Sequence, residues 1–160
     1  MKKAILTLTT IFWIALSAYA YAAPDGIVLT ASPPSHKSYL FEEERVSSPN
    51  GSYVLVMQSD GNLVLYESKC FGDPKCAVWN SKTYRDKGQY YMAMQEDGNL
   101  VIYQGRPPAK TPLSIWSSQT YGSTGNYFLS VQDDGDLVIY RGTCMHDNRG
   151  AIWSSKRGKL

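Results

Sequence analysis

The sequence predicts an all-β fold assembled from three copies of one small unit. A nine-residue pattern recurs at a period of 37 residues, as QSDGNLVLY from Gln58, QEDGNLVIY from Gln95 and QDDGDLVIY from Gln132. Apolar residues alternate on both sides of each Asp-Gly turn, which is typical of a β-hairpin. Beyond the N-terminal apolar run, no segment keeps a helical period. Because one such unit cannot bury its apolar face alone, we expect three units to share a core.

The chain opens with the features of a secretory signal peptide. Two lysines precede an apolar run over 4–16, and small residues suited to cleavage follow as far as Ala23. A transmembrane helix needs about 20 apolar residues, so we expect export without membrane insertion. We therefore assign 1–23 to a signal peptide and 24–37 to an extended lead-in. The Met-Lys-Lys opening is typical of bacterial leaders, which predicts a secreted or periplasmic protein.

The charge balance argues against nucleic acid as a partner. The chain carries 16 Lys and Arg and 14 Asp and Glu, and removal of the two leader lysines makes the numbers equal. No basic patch interleaved with aromatics stands out. A neutral ligand fits this composition better.

Each hairpin has one apolar and one mixed face. In the second copy, alternation places Leu100 and Ile102 on one side, which we expect to face the core. Asn99, Val101 and Tyr103 lie on the other side, next to the polar turn. That polar face is the candidate site. The alternative is that Asp-Gly-Asn only shapes the turn, although a turn requires neither the Gln before it nor the Tyr after it.

Three tryptophans follow the motifs at the same spacing: Trp79, Trp116 and Trp153. One large aromatic per copy at a fixed position predicts three rings that meet on a pseudo-threefold axis.

Three cysteines in an exported protein predict one disulfide and one remaining thiol. Cys70 and Cys76 share a short loop, and closing it would stabilise the fold by roughly 2 kcal/mol. Cys144 stands two repeat lengths after Cys70, but Gly150 occupies its partner position. Cys144 is therefore expected either to remain a free thiol or to link two chains.

The chemistry of the motif favours sugar binding over catalysis. Gln, Asp, Asn and Tyr together donate and accept the hydrogen bonds that adjacent sugar hydroxyls require, and Val offers apolar contact. A glycosidase needs two carboxylates around the scissile bond, but the repeated motif pattern contains only one carboxylate per copy. No metalloprotease or serine-hydrolase motif occurs. We expect a protein that is not an enzyme and uses no cofactor or metal.

The pattern Gln-x-Asp-x-Asn-x-Val-x-Tyr, repeated three times with a tryptophan after each copy, resembles the bulb-type (monocot mannose-binding) lectin domain. The resemblance covers 38–155 and leaves 156–160 as a short tail. It implies a β-prism II fold of three four-stranded sheets with one mannose pocket per sheet. In that family Asp and Asn bind the sugar O2, Gln binds O3, Tyr binds O4, and Val packs on the ring. By motif position, the carbohydrate-binding residues would be Gln58, Asp60, Asn62, Val64 and Tyr66 in the first copy, and Gln95, Asp97, Asn99, Val101 and Tyr103 in the second.

The third copy departs from the pattern, because Asp136 replaces the Asn and removes an amide donor. Losing that donor costs about 1 to 3 kcal/mol. We expect an impaired third site, whose members are Gln132, Asp134, Asp136, Val138 and Tyr140. A cation held by the acidic residues there is a lesser alternative.

The leading hypothesis is a secreted lectin for mannose-containing glycans, with weak single pockets and avidity from several of them. A homodimer is possible in such a family. The alternatives are a single-domain lectin-like bacteriocin or toxin, and a structural or protein-binding β-prism.

Overall fold

The computed structural model describes residues 21–22, 27–30, 38–105 and 111–160, and the first two ranges are described by their strand pairing alone. Most of the predicted signal peptide and lead-in therefore lies outside the described residues. Nowhere in the described ranges is there a helix of the length and apolar character needed to cross a membrane. The strands, in chain order, are β1 (Tyr21–Ala22), β2 (Ile27–Thr30), β3 (Tyr39–Phe41), β4 (Arg45–Ser47), β5 (Tyr53–Met57), β6 (Leu63–Glu67), β7 (Ala77–Asn80), β8 (Tyr90–Met94), β9 (Leu100–Gln104), β10 (Leu113–Ser117), β11 (Tyr127–Val131), β12 (Leu137–Arg141), β13 (Ala151–Ser154) and β14 (Gly158–Lys159).

Each repeat forms an antiparallel hairpin, as its alternation predicts. The hairpins are β5–β6, β8–β9 and β11–β12, and corresponding residues pair in the same register, for example Leu55 with Leu65 and Met92 with Ile102. A third strand from the same repeat, β7, β10 or β13, pairs with the second. The hairpin prediction is confirmed.

The N-terminal part of the chain supplies the fourth strand of every sheet. Strand β4 pairs with β5, β3 with β8, and β2 with β11, all antiparallel. Two short strands extend this plan: β1, which lies within the predicted signal peptide, is parallel to β4, and β14 pairs with β13. The result is the expected β-prism of three four-stranded sheets, two of which gain a two-residue edge strand. The sheets thus continue beyond 38–155 at both ends.

The core lies between the three sheets. Leu100 and Ile102, which were predicted to point inward, are fully buried there, and so are the equivalent Leu63 and Leu65 of the first copy. At the centre, the three repeated tryptophan rings meet edge to face, with centroids 5.7 to 6.1 Å apart. The predicted pseudo-threefold tryptophan cluster is confirmed, and it joins one strand from each sheet.

The hairpin turns also interlock around the axis. The Gly61, Gly98 and Gly135 residues of the three motifs have φ of +76° to +84°, a backbone conformation that favours glycine. Each lies against a tyrosine of another repeat: a Cβ on Gly98 would stand 2.7 Å from the ring of Tyr127. The same contact joins Gly61 to Tyr90 and Gly135 to Tyr53, so the three contacts form a closed ring.

Candidate functional site

The aspartate of each motif organises the turn that precedes the second hairpin strand. Asp60 Oδ1 accepts a hydrogen bond from the backbone N–H of Asn62 at 2.9 Å. Asp97 and Asp134 accept the equivalent bond at 3.0 Å. The turn-shaping role considered from the sequence is thus present. It uses one carboxylate oxygen, and in the first two copies it leaves the second available to a ligand.

The glutamine and the tyrosine of each motif lie side by side. Gln58 Nε2 donates to the hydroxyl of Tyr66 at 3.2 Å. The same bond is 2.7 Å in the second copy and 2.6 Å in the third. Because the glutamine donates, the tyrosine O–H is left to donate elsewhere and the glutamine Oε1 to accept. Two residues eight positions apart in sequence thus form one polar unit.

The asparagine of the first two copies is oriented by serine and threonine residues that were not predicted from the sequence to belong to the site. Asn62 Oδ1 accepts from the hydroxyl of Ser81 at 3.1 Å and from the backbone N–H of Thr83 at 3.3 Å. In the second copy Asn99 is held identically by Ser118 and Thr120. With the oxygen engaged inside the protein, the amide nitrogen is the donor left for a ligand. The signal was present in the sequence, because these Ser and Thr residues recur at the 37-residue period.

In the third copy, the side chain at the asparagine position is fully hydrogen-bonded inside the protein. Both carboxylate oxygens of Asp136 are engaged, by the hydroxyls of Ser154 and Ser155 at 2.7 Å each. The backbone N–H of Lys156 donates to Oδ1 as well. Asp136 is 6% exposed. It is therefore a buried acceptor in a complete network, with no donor to offer.

Lys156 also pairs with the neighbouring aspartate. Its Nζ lies 3.3 Å from Asp134 Oδ2 and 2.9 Å from the Asp134 carbonyl oxygen. Partial burial raises the pKa of Asp134, but the hydrogen bonds from Asp136 N–H and Lys156, with the lysine charge, outweigh it and hold the pKa below its usual range. Asp134 is thus charged at neutral pH and paired. Asp133 turns away and accepts from the backbone N–H of Asn50.

The valines of the motif are nearly covered by the sheets. Val64, Val101 and Val138 are 2 to 3% exposed. Val64 lies on the outer face, since it packs with Val54, Val56 and Tyr66 apart from the central core. A ligand would meet only a small apolar surface there.

In the first copy, an aromatic ring from the loop after β6 covers the motif tyrosine. The Phe71 ring stands edge-on to Tyr66 with centroids 5.4 Å apart, and the guanidinium of Arg45 lies 4.8 Å from the Phe71 centroid. Tyr66 is accordingly buried, whereas Tyr103 and Tyr140 are half-buried. Phe71 is held by the loop that the Cys70–Cys76 disulfide closes.

Aromatic rings stand beside the motif in the second copy. Tyr103 stacks on Tyr91 at 5.2 Å, and Tyr91 meets Tyr39 edge-on at 5.8 Å. Burial raises the pKa of Tyr91, and so do the neighbouring phenols of Tyr103 and Tyr39, so its hydroxyl stays neutral. A cavity of about 480 Å³ lies in front of these rings and reaches Gln95 and Asp97.

The cysteines pair as predicted. Cys70 and Cys76 form a disulfide with Cα atoms 6.0 Å apart. Cys144 is a partly buried free thiol within the chain, and whether it links two chains stays a prediction.

Within 38–105 and 111–160, no group of three His, Cys, Asp or Glu side chains could hold a metal ion. The acidic residues of the third copy are dispersed: Asp133 contacts Asn50, Asp134 contacts Lys156, and Asp136 is satisfied by serines.

Comparison with solved structures identifies one group of similar proteins. No protein-family model and no curated protein matches the chain. Solved structures do match. Monomeric monocot mannose-binding lectins from Gastrodia elata are 32% identical, over 81% of this chain and 95% of that chain, with a TM-score of 0.61.

Two sugar complexes are also similar. The mannose-specific agglutinin from snowdrop (Galanthus nivalis), in complex with methyl-α-D-mannoside, is 35% identical over 72% of this chain and 89% of its own, with a TM-score of 0.56. The Polygonatum cyrtonema lectin, in complex with a monomannoside, is 31% identical over 77% and 98%, with a TM-score of 0.57.

Proposed function

The chain belongs to the bulb-type (monocot mannose-binding) lectins, and from this premise we propose that it is a non-enzymatic carbohydrate-binding protein that binds mannose through its first and second motif copies. The observation that carries the proposal is the asparagine geometry. In both copies Ser and Thr residues engage Oδ1, so the amide nitrogen remains as a donor beside an aspartate acceptor. The matched solved structures, two of which hold mannosides, support the same reading.

The hydrogen-bonding capacity of one copy suits three adjacent hydroxyls of a hexose. In the second copy, the Asn99 amide donates and the free Asp97 oxygen accepts at O2. Gln95 Oε1 accepts at O3, and Tyr103, whose oxygen already accepts from Gln95, donates at O4. Each pair of groups meets one hydroxyl with a donor or an acceptor of the required kind. This assignment of hydroxyls follows the family.

We propose that the third copy does not bind mannose. Asp136 has no donor, and both of its oxygens are satisfied inside the protein. Lys156 forms an ion pair with Asp134. A sugar would have to displace an ion pair and still leave one hydroxyl without its donor, which costs about 1 to 3 kcal/mol.

Single pockets of this kind bind weakly. A hexose has about 12 heavy atoms, and ordinary ligand efficiency of about 0.3 kcal/mol per atom gives millimolar affinity. Two working copies on different sheets would therefore act through avidity on a surface that displays many mannose residues. With the predicted signal peptide, this favours a protein that acts on glycans outside the cytoplasm, and we propose that it is secreted or periplasmic.

Isothermal titration of the mature protein with methyl-α-D-mannoside tests the proposal. Wild type is expected to bind with millimolar affinity, and Asn62→Asp combined with Asn99→Asp is expected to abolish measurable heat, because each change removes the donor. Asn148→Asp is the matched control, since that exposed side chain accepts from Gly150 N–H through an oxygen that aspartate retains. Binding that survives the double change would contradict the assignment of the site, and no binding by wild type would contradict the proposed function.

A further inference from the structure

A disulfide-closed loop carries the ring that covers the motif tyrosine of the first copy. Cys70 and Cys76 form the disulfide, and Phe71 directly follows the first of them. The Phe71 ring lies edge-on to Tyr66, with centroids 5.4 Å apart. Tyr66 is only 5% exposed, whereas Phe71 is 41% exposed. A sugar that is to reach the Tyr66 hydroxyl must therefore displace this ring.

The disulfide is the anchor of the loop. Cys76 packs on the outer apolar cluster that contains Val64. No residue over 69–75 is buried, so the loop contributes little to the core. Its turn hydrogen bonds are local, for example from the Asp73 N–H to the Cys70 carbonyl oxygen at 3.1 Å. Without the disulfide, the covering ring would be held in place by its own side-chain contacts.

The covered arrangement leaves two polar atoms unsatisfied. Arg45 Nε and Ser68 Oγ are buried, and neither finds a hydrogen-bond partner among the residues that the structure describes. The Arg45 guanidinium lies 4.8 Å from the centroid of Phe71, and Ser68 begins the short turn that ends at Cys70. A buried donor without a partner disfavours the state that contains it. Movement of the loop away from the sheet would let water reach these atoms, so the covered state depends on the disulfide.

We propose that the Cys70–Cys76 disulfide is a redox switch for the first copy: when oxidised it holds Phe71 over Tyr66, and its reduction opens the pocket. This inference rests on the proposed function and adds regulation to one of its two sites. The oxidised copy still binds mannose, but more weakly than the reduced one.

The reductant in this switch is a dithiol. It supplies two electrons and two protons: the S–S bond breaks, both cysteines become thiols, and the dithiol itself closes to a disulfide. Cys70 and Cys76 are both partly exposed at the ends of an exposed segment, so an attacking thiolate can reach them.

Titration with methyl-α-D-mannoside in an Asn99→Asp background, which leaves the first copy as the binding site, tests the switch. Affinity is measured with and without dithiothreitol. The edge-on contact and the cation–π contact of Phe71 together correspond to about tenfold in an equilibrium constant, so reduction is expected to tighten binding about tenfold. Cys70→Ser combined with Cys76→Ser is expected to give the tighter affinity without reductant. Phe71→Ala is expected to give it in both redox states, because the covering ring is absent.

Two controls separate the switch from a general effect of reduction. Cys144→Ser is the matched cysteine control: it removes the free thiol and is expected to keep the full response to dithiothreitol. In an Asn62→Asp background, the second copy is expected to bind equally with and without dithiothreitol. Loss of second-copy binding on reduction would show that the disulfide holds the whole fold, and it would overturn the switch.

Cleavage by chymotrypsin after Phe71 reports release of the loop without any sugar. Cleavage is expected to be faster in dithiothreitol, and in the Cys70→Ser and Cys76→Ser double variant, than in the oxidised protein. Unchanged cleavage, or a first-copy affinity that ignores reduction, would overturn the switch while leaving the lectin function in place. Absence of mannoside binding by every variant in both redox states would overturn both.

Discussion

Substitution of Gly98 by alanine tests whether the three repeats are locked together through their turns. The new Cβ would stand 2.7 Å from the Tyr127 ring, closer than real Cβ contacts, and the residue has φ of +84°. The left-handed backbone costs a residue with a Cβ about 1 to 2 kcal/mol. Displacing the ring, whose hydroxyl donates to the Ser123 carbonyl oxygen at 2.9 Å, adds about 1 to 3 kcal/mol. The expected loss of unfolding free energy is therefore about 2 to 5 kcal/mol.

Denaturant unfolding followed by tryptophan fluorescence measures this loss, because the tryptophan cluster reports the packing of all three sheets. Gly51→Ala is the matched control: its φ is +71°, but no atom lies within 4 Å of the added Cβ. The Gly51→Ala variant is expected to lose about 1 to 2 kcal/mol of unfolding free energy, because it suffers only the strain of the left-handed backbone. Equal losses for Gly98→Ala and Gly51→Ala would refute the interlocking role of Tyr127.

Three further predictions concern the copies and the core. Asp136→Asn combined with Lys156→Gln frees Asp134 and restores an amide donor in the third copy. Titration with methyl-α-D-mannoside should then show a third binding site. An unchanged number of sites would contradict our explanation of why the third copy does not bind mannose. Phe71→Ala uncovers the first-copy tyrosine, and Tyr66 should become reactive to tetranitromethane, whereas protection equal to wild type would show that Phe71 is not the cover. Trp153→Ala removes a buried ring from the central cluster and should cost about 3 to 5 kcal/mol in denaturant unfolding; a loss under about 1 kcal/mol would contradict the shared core.

The repeated features of this protein were predictable from its sequence, because each of them occurs there three times. The hairpins, the inward leucines and the meeting of Trp79, Trp116 and Trp153 all followed from the 37-residue period. The disulfide followed from the placement of Cys70 and Cys76 in one loop. The replacement of asparagine by Asp136 was also visible, and it marked the copy whose geometry differs.

The features that occur once could not be predicted in this way. The fourth strand of each sheet comes from an N-terminal segment that has no internal repeat, so no pattern indicated the register of β2, β3 or β4. The position of Phe71 over Tyr66 depends on the fold of an irregular loop. The contact of Lys156 with Asp134 depends on the path of the chain after β13, where Arg157 replaces the threonine of the other copies.

Mannose binding by two of the three motif copies is best tested with a crystal structure of the mature protein soaked in methyl-α-D-mannoside at a concentration well above millimolar. We expect sugar density beside the Gln95–Tyr103 pair and the Gln58–Tyr66 pair, with the Asn62 and Asn99 amides donating to the ligand. We expect no sugar beside Gln132, where Lys156 pairs with Asp134. Sugar density at the third copy equal to that at the second, or at none of the three, would show that the assignment of the binding copies is wrong.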